Sequence, residues 1–491
     1  MSVDLEASSK LELESPSDGV PSPHKEETSS ELKLDAHGLP LVPQPSSDPS
    51  DPLNFPQWLK IAILLQTSFL AGLGPLDQAV INPAYVPLAA HFHKTTVVAS
   101  YQTTIAIAFV GVGAFLWVPL ANTYGRRPVL LFTSLLAAAS SISSGQAQTW
   151  SQLIGTRVLN GIATASFFTV GAGMVSDTFF LHERGRAMGV FIVFLTNSAH
   201  YVNYRWCYYL PAILDLTLFF MMLFCLPETL YVRGSTPVVT SRPILRRMGL
   251  WNLRPAEKHL KMSDFFNPFI MFTYPTVLLS AFYYSIAFGF SSILPAVTSA
   301  TLFRLKHKFT TSQTGLALGF GTLIGSTLGE LLGGIVIDRT MRLSRKGKEG
   351  GEAVPEVRLS GIWVGVIILP IGLLIWGFCW EYNTHWSGPT LGFTIMCFAL
   401  QIISTVLYSY CADSYRPQTP EVAQVFNFGL QTFGMTFGFW SIPMGNKIGF
   451  QFMGLTLALL SLVSFIPVVF LMYKGEAIRK KMGAPSFNSK L

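Results

Sequence analysis

Charge is what this sequence has least of. Aspartate, glutamate, lysine and arginine make up 12% of its 491 residues, about half the share carried by an ordinary soluble chain, which is near a quarter. Long stretches carry no charge at all, which excludes a water-soluble globular enzyme. Cysteine is also sparse. Cys207, Cys225, Cys379, Cys397 and Cys411 form no C-x-x-C pair and no cluster with histidine, so they are expected as small apolar filler rather than metal ligands. No N-x-S/T sequon occurs to mark an outer loop. H-E-x-x-H, G-x-S-x-G and G-x-x-x-x-G-K-[ST] are all missing, which leaves no support for a membrane enzyme or a nucleotide-driven pump.

What is present in quantity is apolar surface. Half the residues are hydrophobic and the mean hydropathy is +0.43. A run of about 18 or more such residues is long enough to cross a bilayer as a helix, and lipid requires each segment to satisfy its own backbone. Twelve apolar segments are expected, at 58–80, 98–121, 128–147, 151–175, 187–204, 207–228, 272–296, 313–337, 360–380, 390–411, 422–444 and 449–473. The fifth is short. This predicts an all-α membrane protein with a six-helix half over 57–229, a polar cytoplasmic loop over 230–265, a second six-helix half over 266–473 and a basic cytoplasmic tail over 474–491. Residues 1–56 carry eleven acidic side chains and three lysines among Ser and Pro, the composition of a disordered tail. With both termini cytoplasmic, 24 Lys and Arg fall in inner loops and the C-terminal tail against 6 in outer loops, the asymmetry expected of that orientation.

The two halves carry matching basic loops. After the second segment comes Pro119 to Pro128, with Asn122, Gly125, Arg126 and Arg127. After the eighth comes Gly334-Ile-Val-Ile-Asp338-Arg339-Thr-Met-Arg342. Paired six-helix halves with corresponding loops are the internal repeat of secondary transporters. With Asp51-Pro-Leu-Asn54, Arg157-Val-Leu-Asn160-Gly161, His182-Glu-Arg-Gly-Arg186 and Pro227-Glu228-Thr229, the chain resembles the major facilitator superfamily over about 51–475. It looks most like the fungal twelve-span drug:proton antiporters. The resemblance implies a transporter that uses a proton gradient and no cofactor, with a small-molecule substrate, no nucleic-acid partner and a monomeric state. Plasma membrane is the expected location, vacuolar membrane the alternative. It also implies a cytoplasmic gate of Asn122, Gly125, Arg126, Arg127, Gly334, Asp338 and Arg339. Two departures stand out. Asn122 replaces the family's aspartate, and no Gly or Pro occurs between 190 and 210, where the group usually has a Gly/Pro-rich fifth helix.

Ionisable residues inside spans are costly and point to function. Asp77, Arg157, Glu330, Asp215 and His200, with Asn160 beside Arg157, are the candidates for a substrate or proton pathway. Arginine stays protonated, so Arg157 cannot itself carry the proton, but it can act on a neighbouring carboxylate. The resemblance also implicates it in proton coupling. Phe282, Tyr283, Tyr284, Gln401, Tyr408, Asn427 and Gln431 are candidate cavity walls, suited to a bulky, weakly polar ligand. Gly321, Gly325, Gly329 and Gly333 recur at i+4 and predict a tightly packed helix face. Efflux of a drug-like or secondary-metabolite molecule is the leading expectation. Uptake of a polyamine or small nutrient, and an inactive paralogue owing to the short fifth helix, are its alternatives.

Overall fold

The computed structural model describes residues 51–178, 205–230, 260–346, 355–415, 418–483 and 485. The fifth apolar segment with His200, nearly all of the acidic tail, most of the 230–265 loop and the last residues of the basic tail lie outside them. Helices account for almost all of the described chain, and no strand occurs among the described residues. In chain order they are α1 (Gln57–Ala79), α2 (Tyr85–His91), α3 (Thr96–Tyr124), α4 (Arg126–Gln146), α5 (Trp150–Thr178), α6 (Trp206–Cys225), α7 (Met262–Met271) and α8 (Pro275–Phe288). There follow α9 (Leu294–His307), α10 (Thr311–Lys346), α11 (Trp363–Glu381), α12 (Ser387–Ser414), α13 (Thr419–Gly434), α14 (Phe437–Ile448), α15 (Phe450–Val463) and α16 (Ile466–Met482).

Among the described residues, ten stretches are long and apolar enough to cross a membrane. They coincide with ten of the twelve expected segments. The eleventh, 422–444, departs from a single continuous span: it is the two helices α13 and α14, separated at Met435–Thr436. The Thr436 hydroxyl bonds back to the Phe433 carbonyl at 2.8 Å, a local alternative to the helical ladder. Another span, from Pro275 to Ser299, is interrupted by a π-helical turn over Gly289–Ile293. Such turns place an extra residue in the helix and recur at functional positions. Here Gly289 lets Phe433 and Phe437 approach to within contact distance of its backbone.

Each half has its own apolar core, one drawn from residues between Phe55 and Leu226 and one between Met271 and Leu471. The perimeter is apolar too. Phe132, Phe220, Phe224, Leu331 and Ile367 are each more than half exposed, a surface that only lipid covers without cost. Trp58, Trp206, Trp363, Tyr382 and Trp386 sit exposed at or next to helix ends, where amphipathic rings prefer the bilayer interface. The glycine stripe of α10 packs on α12: a Cβ on Gly325 would lie 2.4 Å from the Thr394 carbonyl, and one on Gly329 2.5 Å from that of Phe398. The two halves meet chiefly through α3 and α13. Gln424 donates to the Ala114 carbonyl at 2.9 Å and Asn427 to that of Val110 at 3.3 Å.

Candidate functional site

Asp77 is the third-last residue of α1, and its carbonyl is among the last four of that helix. Such carbonyls lack intrahelical partners and carry the negative end of the helix dipole. Arg157 of α5 answers both needs, donating from a terminal nitrogen to the Asp77 carbonyl at 2.5 Å. Asn160 lies one turn further along α5, on the same face. Its amide donates to an Asp77 carboxylate oxygen at 3.3 Å and to the Ser141 hydroxyl of α4 at 3.0 Å. Ser141 in turn donates to the other Asp77 oxygen at 3.0 Å. Asp77 is 1% exposed and Arg157, Asn160 and Asp215 are wholly enclosed.

Helix α6 completes this cluster. The Tyr208 ring lies 5.4 Å from the Arg157 guanidinium carbon, within range of a cation–π contact. Asp215, two turns on, turns its carboxyl toward that of Asp77. The Tyr208 hydroxyl donates to Gln102 of α3 at 3.4 Å, and Gln102 donates to Thr103 at 2.6 Å. Tyr85 at the start of α2 reaches the Thr103 hydroxyl at 2.9 Å. Asp77, Arg157, Asn160 and Asp215 are thus brought together by α1, α4, α5 and α6. All of the groups named lie within the N-terminal half. Sequence reasoning missed Ser141 and Tyr208; a serine in a Ser-rich helix and one tyrosine among sixteen carry no distinguishing signal.

Glu330 sits apart from this cluster, in the C-terminal half. It accepts from Thr405 of α12 at 2.8 Å and faces Tyr284. Tyr284, Tyr408 and Phe426 form a ring cluster with centroids 4.8 to 5.8 Å apart. The three consecutive aromatics 282–284 do not share a face, because successive helical residues diverge by about 100°. Phe282 is 51% exposed on the perimeter, and Tyr283 packs on Phe465 with centroids 5.2 Å apart. Neither stands with the tyrosine cluster. Gln401 is buried against Gly329. Asn427 and Gln431 are joined to each other at 3.3 Å and pressed on α3 at Val110 and Gly111, which makes them contacts between the halves.

At the expected cytoplasmic end, α3 turns into α4 through Gly125, whose φ of +104° is open to glycine without strain. The start of α4 exposes backbone N–H groups that need acceptors. Glu228, just beyond α6, supplies them: one oxygen accepts from Arg126 N–H at 2.9 Å and the other from Arg127 N–H at 3.0 Å. The first oxygen also accepts from its own following residues, Thr229 at 3.0 Å and Leu230 at 2.9 Å. The Arg127 guanidinium donates to the Leu223 carbonyl at 2.7 Å. Asn122 lines a hollow with Asp264, Asn267 and Glu421. An aspartate at 122 would place a third carboxyl there, which gives the substitution a local electrostatic reason. Gly334 has no neighbour within 4 Å of the position a Cβ would take. Asp338 and Arg339 lie in α10, and their side chains fall outside the described part.

Comparison with known proteins bears on what this arrangement belongs to. The chain is 28% identical over 461 residues to the MFS-type transporter phm3 of Pyrenochaetopsis sp, covering 89% of this chain and 93% of the relative. It is 27% identical over 444 residues to the efflux pump vrtL of Penicillium aethiopicum, covering 85% of each. Its fold matches that of the proton:xylose symporter XylE with a TM-score of 0.58 at 16% identity, over 86% of this chain and 96% of that one. The family model for the Major Facilitator Superfamily matches residues 67–439. Helices that fit a bilayer, two separately cored halves and a match over most of the chain lead to one conclusion: the protein is a multi-pass membrane transporter of the Major Facilitator Superfamily.

Proposed function

We propose that this transporter exports a bulky, weakly polar organic molecule of the drug or secondary-metabolite kind, driven by protons. It works as a monomer in the plasma membrane with both termini in the cytoplasm. In alternating access one half rocks against the other around a central site, and proton binding favours one of the two states. The observation that carries this reading is the fully enclosed Asp77–Arg157–Asn160 cluster. A buried ionisable group is retained at such a depth when it is used, and this one contacts no part of the other half through the bonds described above. A proton there can bias one half without competing for substrate.

Support for direction is the similarity to a fungal efflux pump over 85% of both chains. Support for substrate class is the Tyr284–Tyr408–Phe426 cluster with Glu330 and Gln401 nearby. Rings packed edge-on and tilted against one another, with few polar groups, suit an aromatic or apolar ligand. The test is accumulation of a panel of dyes and antifungal compounds in pump-deficient yeast expressing the chain, with and without an uncoupler. Reduced accumulation that the uncoupler restores, lost in Arg157→Ala at equal surface expression, is the expected result. A compound that accumulates more in expressing cells than in control cells overturns export. Extrusion that persists unchanged with the uncoupler overturns proton drive.

A further inference from the structure

Helix α7 carries its apolar side on the outside. Met262, Phe266, Phe269 and Ile270 recur at helical spacing along one face and are exposed, Met262 at 76% and Phe266 at 63%. Asp264 and Asn267, on the opposite face, turn inward to the hollow they share with Asn122 of α3 and Glu421 of α13. A helix on the surface of a water-soluble protein does the reverse, burying the apolar stripe and presenting the polar one. The inversion leaves four large apolar side chains facing out, which is costly against water and favourable against acyl chains.

Position and charge point to the same neighbour. Only Phe272–Tyr274 separates α7 from the span that begins at Pro275, and that span itself presents Leu278 and Phe282 outward. The apolar face of α7 thus continues the lipid-covered perimeter at the end of the span. Between 230 and 261 the chain has seven Lys and Arg and one acid, Glu257. The last of these bases, Lys261, is exposed at the start of α7. Basic residues beside an apolar helix face are what an anionic leaflet attracts. We propose that α7 is an in-plane anchor: Met262, Phe266 and Ile270 lie among the acyl chains of the inner leaflet, beneath anionic headgroups that Lys261 and its basic neighbours in sequence attract. The choice of the inner leaflet rests on the proposed cytoplasmic placement of this loop; insertion needs neither a direction of transport nor a substrate.

Insertion also bears on closure. Phe269 stacks on Phe115 of α3 with centroids 4.6 Å apart, and Phe115 meets Phe428 of α13 at 5.3 Å. One ring of the N-terminal half therefore contacts α7 and α13 together, and opening the cytoplasmic end must pull Phe115 from a helix fixed in the leaflet.

A nitroxide at Phe266→Cys, Ile270→Cys or Lys261→Cys reads the anchor, in full-length chain without the native cysteines, reconstituted in nanodiscs of phosphatidylcholine with and without phosphatidylserine. Collisions with oxygen mark lipid, and collisions with a water-soluble nickel chelate mark solvent. The expected oxygen-to-nickel ratio is several-fold higher at 266 and 270 than at 261, and rises further with phosphatidylserine. A ratio at 266 as low as that at 261 overturns insertion. Low collision rates with both reagents overturn it too, because protein then covers the face. A ratio indifferent to phosphatidylserine overturns the preference for an anionic leaflet. For closure, Thr123→Cys, beside the same hollow, is expected to label several-fold faster in Phe266→Asp than in Phe266→Leu, which stays apolar; equal rates sink the link to closure. The spectra need no transport. A chain that exports nothing but shows an inserted α7 counts against the export reading alone, and an active exporter with a solvated Phe266 counts against the anchor alone.

Discussion

Replacing Glu228 with glutamine tests how the cytoplasmic end of the N-terminal half is held. The two side chains have the same shape, so the change isolates charge and one acceptor. Glu228 accepts four backbone N–H bonds between 2.9 and 3.0 Å and is 2% exposed. A glutamine oxygen in the place of the first carboxylate oxygen keeps three of them. Its amide nitrogen then points at the Arg127 N–H, donor against donor, and that bond is lost. A hydrogen bond to a charged group contributes about 1.5–3 kcal/mol, and the remaining three fall toward the strength of neutral bonds, roughly half. Because one anion serves all four, the losses overlap, and about 3 kcal/mol in total is expected. That corresponds to roughly a hundredfold increase in local opening, since each 1.4 kcal/mol is tenfold. It also corresponds to a fall on the order of 5 °C in melting temperature. Tryptophan fluorescence during heating reads the second quantity. Labelling of Thr123→Cys in a background without the native cysteines reads the first, because Thr123 is 6% exposed when the end is closed. If Glu228→Gln melts with the natural chain and Thr123→Cys labels no faster, the carboxylate is not what closes this end.

Other consequences are equally direct. Gly325→Ala brings a Cβ to 2.4 Å from the Thr394 carbonyl, so α10 must shift from α12 at a cost of about 1–3 kcal/mol. Gly334→Ala meets nothing within 4 Å and is expected to be neutral or slightly stabilising, by up to about 1 kcal/mol; melting of the two variants side by side checks both. Arg157→Lys keeps the charge but not the planar fork, and is expected to lose most uncoupler-sensitive extrusion in the accumulation assay while reaching the surface normally. At the end of α9, burial, then His385 and Lys306 nearby, hold the His307 imidazole below its ordinary value, which is about 6.5. The folded state therefore binds fewer protons than the unfolded one just below that pH. Its stability contribution is complete above about pH 6.5 and is lost as pH falls toward the folded value. A modest drop in melting temperature between pH 7 and 5.5, reduced in His307→Gln, is the expected result.

Much of this protein is legible along the chain, because a bilayer leaves the backbone few choices. An apolar run without charge must be a helix, and ten of the expected segments coincide with helical stretches long and apolar enough to cross. The glycine repeat at 321, 325, 329 and 333 marks a close helix contact, since only the missing Cβ admits a neighbouring carbonyl to about 2.5 Å. The rarity of buried charge likewise singles out Asp77, Arg157 and Asp215 before any coordinates. What the linear sequence does not carry is which side chains meet. Asp77 and Arg157 lie 80 residues apart and Glu228 and Arg126 102 residues apart, and no local period reports contacts at such separations. Tyr284 joins Tyr408 while Phe282 faces outward, a difference of helical phase that composition cannot express. The membrane as solvent determined the elements; the tertiary packing decided that Asp77 and the distant pair Arg157 and Asn160 would meet in one buried cluster.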